Sequence, residues 1–190
     1  MFQELLEAEL APYGTLSKDQ LEALEEHYNL LSGWNKKLNL TRITRLEDVV
    51  RLHYCESLFL ARALPAIPLR IVDVGSGAGF PGVPVAVYRP DCTVDLVESH
   101  QRKAVFLTEA CRHLQNVRVL ARRAESCDKE YDWLISRAVR PEQVVSLGLA
   151  SNVALLMGAE DALGLEAARE EIPWGKNRVL AMFHVKHAKI

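Results

Sequence analysis

Between Ile71 and Gly82 the chain reads IVDVGSGAGFPG, a short apolar run with Asp73 near its end, followed by Gly75, Gly77, Gly79 and Gly82. Alternating glycines let a backbone turn sharply and approach a ligand closely, because no Cβ stands in the way. A loop of this kind, set between a strand and a helix, suits a nucleotide. Two registers fit. Gly77, Gly79 and Gly82 satisfy G-x-G-x-x-G, the dinucleotide pattern, which is weak on its own. Asp73 ahead of the first glycine instead suits a ligand with a cation close to the loop, since a pyrophosphate there would be repelled. S-adenosylmethionine carries such cations in its sulfonium and amino groups. Glu98, at the end of the next apolar run, is placed to accept hydrogen bonds from ribose hydroxyls in either register. After the third run, RRAES sets Glu125 where an acid or amide lies beside an adenine in this architecture, with a solvated loop residue as the equal alternative.

Those residues need a scaffold, and the chain of 190 residues, 49% hydrophobic, is long enough for one full core with an appended element. Ser17 and Gln20 make a capping box, after which Leu21, Leu24, Tyr28 and Leu31 recur at helical spacing up to about Trp34. A second helix is expected over Leu46 to Leu64, ending before Pro65. From Leu69 the rhythm changes: LRIVDVG, CTVDLVES, VRVLARR, YDWLISRA and VALLMGA alternate with helix-like segments such as QRKAVFLTEACRHL. That alternation predicts a mostly parallel α/β sheet covered by helices, with NRVLAMFHVKH as a terminal antiparallel edge strand. Cys55, Cys92, Cys111 and Cys127 form no C-x-x-C pair, which argues against zinc and suits reduced thiols. The start at Met1 has no basic leader or cleavage site, and no long apolar segment occurs, so a soluble cytoplasmic monomer is expected.

WNKKLNLTRIT near Trp34, DVGSGAGFPGVPVA at Asp73, the RP of Arg89 and Pro90, VESHQRKAVFL from Val97, RRAES at Arg122 and ISRAV at Ile135 together resemble the RsmG (GidB) family. The likeness covers nearly the whole chain. It implies a class I methyltransferase fold, a Rossmann-like sheet of seven strands in residues 66–190 preceded by a helical extension in residues 1–65. It also implies S-adenosylmethionine as cofactor and N7 of a guanine in 16S ribosomal RNA, or in the small ribosomal subunit, as target. Carried over by motif, the cofactor residues are Gly75 and Phe80, Glu98, Ala124 with Glu125, and Arg137; Asp73, Gly77 and Gly79 join them from the loop reading. One departure stands out: the fifth run of the family ends in Lys-Gly, whereas Met157 precedes Gly158 here, and an acidic segment follows.

Guanine N7 has an exposed lone pair and no proton to lose, so methyl transfer there needs alignment and desolvation more than a general base. No catalytic residue is therefore expected. His53 would be the base if one were used, although a structural role is favoured for a lone histidine among apolar neighbours. His184 and His187 would point to opposite faces of a strand, which disfavours a metal site. With a net charge of −2, RNA must be met by a local basic patch. Arg102, Lys103, Arg123, Arg137 and Arg178 are its expected members with Asn39, and Arg42, Arg45, Arg122, Arg140 and Lys176 lie in similar places. The rival readings are a nicotinamide-dependent oxidoreductase and an RNA-binding module of the same fold without turnover.

Overall fold

A computed structural model describes residues 1–128, 130–137 and 139–185. Helices α1 (Phe2–Leu10) and α2 (Lys18–Leu38) open the chain, and Ser17 caps α2 through the reciprocal Ser17–Gln20 hydrogen bonds that the sequence announces. Next come α3 (Leu46–Val49), a π-helical turn (Val50–Cys55) and α4 (Glu56–Ala63). The single regular helix expected over this stretch is thus broken by the π turn. His53 through Ala61 are all buried, across the end of the π turn and the first six residues of α4, including the polar His53, Glu56 and Ser57.

The sheet then alternates with helices: β1 (Arg70–Val74), α5 (Gly82–Tyr88), β2 (Thr93–Val97), α6 (Gln101–Ala110), β3 (Val117–Leu120), β4 (Tyr131–Arg137), α7 (Pro141–Leu147) and β5 (Ala150–Gly158). Two further strands, β6 (Ala168–Glu171) and β7 (Arg178–His184), complete it. Strand order is β3-β2-β1-β4-β5-β7-β6, parallel except for β7 and β6. The last apolar run is antiparallel as expected, yet it is not the edge, because β6 pairs outside it. The sequence hides β6, whose residues Ala-Arg-Glu-Glu are all exposed and carry no apolar alternation.

Successive residues of β1 feed opposite cores. Ile71 joins Leu24, Tyr54, Val85 and Phe106 beneath the N-terminal helices, while Val72 and Val74 join Leu134, Val144 and Leu155 on the other face. Strand order reverses between β1 and β4, which opens a crevice at their carboxyl ends. No helix among the described residues is long and apolar enough to cross a membrane.

Candidate functional site

The register brings Asp73 opposite Leu96 and Val74 opposite Val97, so the glycine loop leaves β1 directly beside Glu98. The Gly75 and Ser76 N–H groups both donate to the Val97 carbonyl, at 2.9 and 3.1 Å, folding the loop over the end of β2. Glu98 is a brace: Oε2 accepts from Gly77 N at 3.0 Å and Oε1 from His100 N at 2.7 Å. A carboxylate has lone pairs beyond these two bonds, which leaves acceptor capacity for a ligand hydroxyl. Gly77 has φ +56°, and a Cβ there would meet only the Gly75 carbonyl at 3.7 Å, so its missing side chain leaves open space. Asp73 lies fully buried beneath the loop, where Oδ2 accepts from Gly82 N at 3.0 Å and Oδ1 has no partner. Burial, resisted by the Ser76 and Gly82 hydrogen bonds, pushes its carboxyl up to about 7. So buried, Asp73 can reach the space above the loop only through the loop or by its field, not by contact.

The far side of the loop is held by the N-terminal helices. His27 on α2 is buried, its Nε2 lying 3.0 Å from the Ala78 carbonyl and its Nδ1 2.7 Å from the Tyr54 hydroxyl. A carbonyl only accepts, so Nε2 carries the hydrogen and Nδ1 accepts from Tyr54. Burial brings His27 down to about 4. Phe80, expected at the cofactor, turns inward: its ring stacks on His53 at 4.5 Å and meets Tyr54 and His27 edge-on. The glycine turn leaves that ring facing the apolar pocket between α2 and the π turn, so Phe80 plugs the core and only its backbone belongs to the loop.

Two adjoining cavities of about 200 and 480 Å³ share Val74, Ala124 and Glu125 at the crevice. The smaller adds Gly75, Glu98, Arg122 and Arg123; the larger adds Val139 and Gln143. The loop and the Ala124–Ser126 turn thus form one cleft, as the sequence reading requires.

Arg137 ends β4 beside it, but its partner is neither Asp73 nor Glu98. Glu56, wholly buried, lies 3.7 Å from the Arg137 guanidinium and is forked by Arg178 at 3.0 and 2.7 Å. Arg178 is thereby withdrawn from the free phosphate binders expected from the sequence: its charge is spent on a buried carboxylate. Arg137 also hydrogen bonds to His53 Nδ1, and His53 Nε2 meets Thr41 Oγ1 at 2.8 Å. Arg137 only donates, so His53 Nδ1 accepts and Nε2–H donates to Thr41. Burial, helped by the Arg137 charge, lowers His53 to about 3. With both nitrogens partnered, His53 is a positioning group. Sequence inspection finds neither Glu56 nor His27, because each acts on residues distant in the chain.

Of the other expected cations, Arg45 pairs with Glu47 and Asp48, whereas the following make no ion pair among the described residues. Arg102 and Lys103 begin α6, Arg122 and Arg123 follow β3, and Arg140 caps α7, all on the carboxyl edge of the sheet. Cations at the opposite edge are paired instead: Arg70 with Glu130, Arg89 with Asp91, Arg112 with Glu109 and Arg118 with Asp95. Asn39 sits apart, in a left-handed conformation (φ +49°) capping α2. His184 ends β7, and His187 lies outside the described residues.

Residues 20–186 match the family model GidB, rRNA small subunit methyltransferase G. The chain belongs to this family. A GidB-family relative from Methylobacillus flagellatus, named Ribosomal RNA small subunit methyltransferase G, is 36% identical over 99% of the chain and 89% of its own length. One of the same name from Desulforamulus reducens is 38% identical over 69% of the chain; that match spans just over half, 58%, of the relative. A SAM dependent methyltransferase from Aquifex aeolicus shares the fold, with TM-score 0.54 and 17% identity over 71% of this chain and 92% of that one. The matched GidB region takes in both the glycine loop and the His27 clamp on α2.

The buried histidines give the site a pH signature. A folded-state pKa of about 4 against an ordinary 6.5 means that His27 contributes stability at neutral pH that is lost as pH falls from 6.5 toward 4. His53 adds to that slope, whereas Asp73, raised to about 7, opposes it by holding its proton in the folded state. With two histidines on one side and one carboxyl on the other, these three groups together leave stability falling as pH falls below 6.5. Replacing His27 with glutamine is expected to flatten this fall, which denaturant melts at pH 4.5, 5.5 and 6.5 measure directly. An unchanged slope would show that His27 is not buried neutral.

Proposed function

We propose that the protein is an S-adenosylmethionine-dependent methyltransferase acting on N7 of a guanine in 16S ribosomal RNA, taken as RNA or as the small subunit. The observation that carries this reading is the cleft at the β1–β4 reversal: a Cβ-free loop tied to Glu98 through Gly77, above a buried carboxylate whose Oδ1 has no partner. A cationic ligand over that loop favours the charged form of Asp73, whereas the pyrophosphate of a nicotinamide cofactor would oppose it. Membership of the family supports the substrate.

When bound, S-adenosylmethionine supplies an electrophilic methyl group on its sulfonium. Glu98 takes the ribose hydroxyls, Ala124 and Glu125 flank the adenine, and Arg137, aimed by Glu56 and His53, takes the carboxylate. Since N7 has no proton to lose, the chain has only to align the base and exclude water. Arg102, Lys103 and Arg123 hold RNA phosphates at the carboxyl edge of the sheet, where they are free of ion pairs among the described residues while the arginines of the opposite edge are paired, and Asn39, apart from them at the end of α2, contacts an RNA loop.

Calorimetric titration tests the cofactor. S-adenosylmethionine is expected to bind and NADH not; Glu98→Gln is expected to weaken binding by roughly 1–2 kcal/mol, because an amide keeps one acceptor and loses charge assistance. Binding of NADH alone would overturn the reading.

A further inference from the structure

A larger cavity, of about 890 Å³, lies away from the cofactor cleft, between the second half of α2 and the loop after it. Its volume is in the range that holds a nucleotide-sized ligand. Leu31, Ile43 and Val49 give it an apolar side, and Lys36 and Arg42 stand over it, both exposed and without an ion pair among the described residues. No acidic side chain lines it, in a chain of net charge −2. Nearby Arg45, by contrast, lies within reach of Glu47 and Asp48.

The wall of this cavity is held by hydrogen bonds that run to the carboxyl end of β4. The Asn35 amide accepts from Thr41 N at 2.8 Å and donates to Thr41 O at 2.9 Å, pinning the loop to α2. Thr41 Oγ1 accepts from Ile43 N at 3.1 Å and from His53 Nε2, whose other nitrogen accepts from Arg137. With its oxygen so used, the Thr41 hydroxyl has its own hydrogen to give to an acceptor in the cavity. One continuous set of hydrogen bonds thus joins the cavity to the carboxyl end of β4.

We propose that this cavity is a second RNA subsite that takes one unpaired nucleotide neighbouring the target guanine, its base against the apolar side and its phosphate between Lys36 and Arg42. The proposal rests on the methyltransferase reading above. A single nucleotide fits because a cavity reads RNA only where a base is splayed out of the helix.

The test uses the full-length protein, a small-subunit RNA fragment and three variants. Ser32→Trp fills the cavity from the exposed face of α2; Lys36→Glu with Arg42→Glu reverses its charge; Arg62→Glu, on the last turn of α4, controls for loss of a cation elsewhere. Both cavity variants are expected to keep wild-type S-adenosylmethionine affinity and melting temperature. Their RNA dissociation constant and KM are expected to rise about tenfold, and the charge variant's salt dependence to become shallower by about one phosphate contact. Arg62→Glu is expected to change none of these. RNA affinity within twofold of wild type in both cavity variants would overturn the subsite. Absence of methyl transfer by the wild type, with RNA affinity still dependent on the cavity, would instead count against the methyltransferase reading alone.

Discussion

Replacing Glu56 with alanine is expected to cost about 3–5 kcal/mol of stability and to remove S-adenosylmethionine binding with it. Glu56 is wholly buried and is the only carboxylate shown paired with either Arg137 or Arg178 among the described residues. Without it two partly buried guanidiniums face each other with no counter-charge, and Arg137 keeps only His53 of these two partners. Glu56→Gln keeps the volume and one acceptor, so a smaller loss is expected. Arg137→Lys tests the second half of the claim: stability close to wild type with weaker cofactor binding, because an ammonium cannot fork a carboxylate. Urea denaturation and calorimetry read the two effects separately, and a Glu56→Ala protein within 1 kcal/mol of wild type, as an approximate bound on a surface effect, would refute the buried-charge account.

The glycine loop gives the other large effect, and it divides by position. A Cβ on Gly82 would lie 2.3 Å from Leu96 Cδ2 and 2.6 Å from Asp73 Oδ2, so Gly82→Val must push α5 off β1 and β2. Overpacking of this kind costs roughly 1–3 kcal/mol, and here it also breaks the Gly82–Asp73 hydrogen bond that anchors the loop. Gly77→Val meets open space and carries only the left-handed strain of about 1–2 kcal/mol. It is expected to leave a folded protein that no longer binds cofactor, since the branched side chain occupies the ligand's approach. Thermal melts with and without S-adenosylmethionine distinguish them: Gly82→Val melts lower in both, and Gly77→Val loses the ligand-induced rise. Full retention of that rise in Gly77→Val would remove the loop from the cofactor site.

Much of this arrangement is legible from local pattern. The Ser17–Gln20 box, the apolar runs and the glycines each act over a few residues, and Glu98 is found because the next strand must run beside β1. What stays hidden depends on distant pairs. Glu56 meets Arg178 across 122 positions and His27 meets Ala78 across 51, so no window of sequence contains either interaction. The π turn is hidden for a related reason: its register serves the burial of His53, Tyr54 and Cys55, a tertiary demand that overrides helical periodicity. Strand β6 is hidden because edge position leaves it polar on both faces. Phe80 shows the converse error, in which proximity in sequence to a ligand loop suggests contact while the ring points into the core.

The most direct measurement is of the product. Small-subunit RNA incubated with the protein and S-adenosylmethionine labelled in its methyl group, then digested to nucleosides and separated, is expected to carry the label in 7-methylguanosine alone. The fixed positive charge on that ring also opens it to borohydride and aniline, so one new strand cleavage is expected at the labelled position. Label in another base or in ribose, or RNA that binds the protein and takes up no label, would contradict the account.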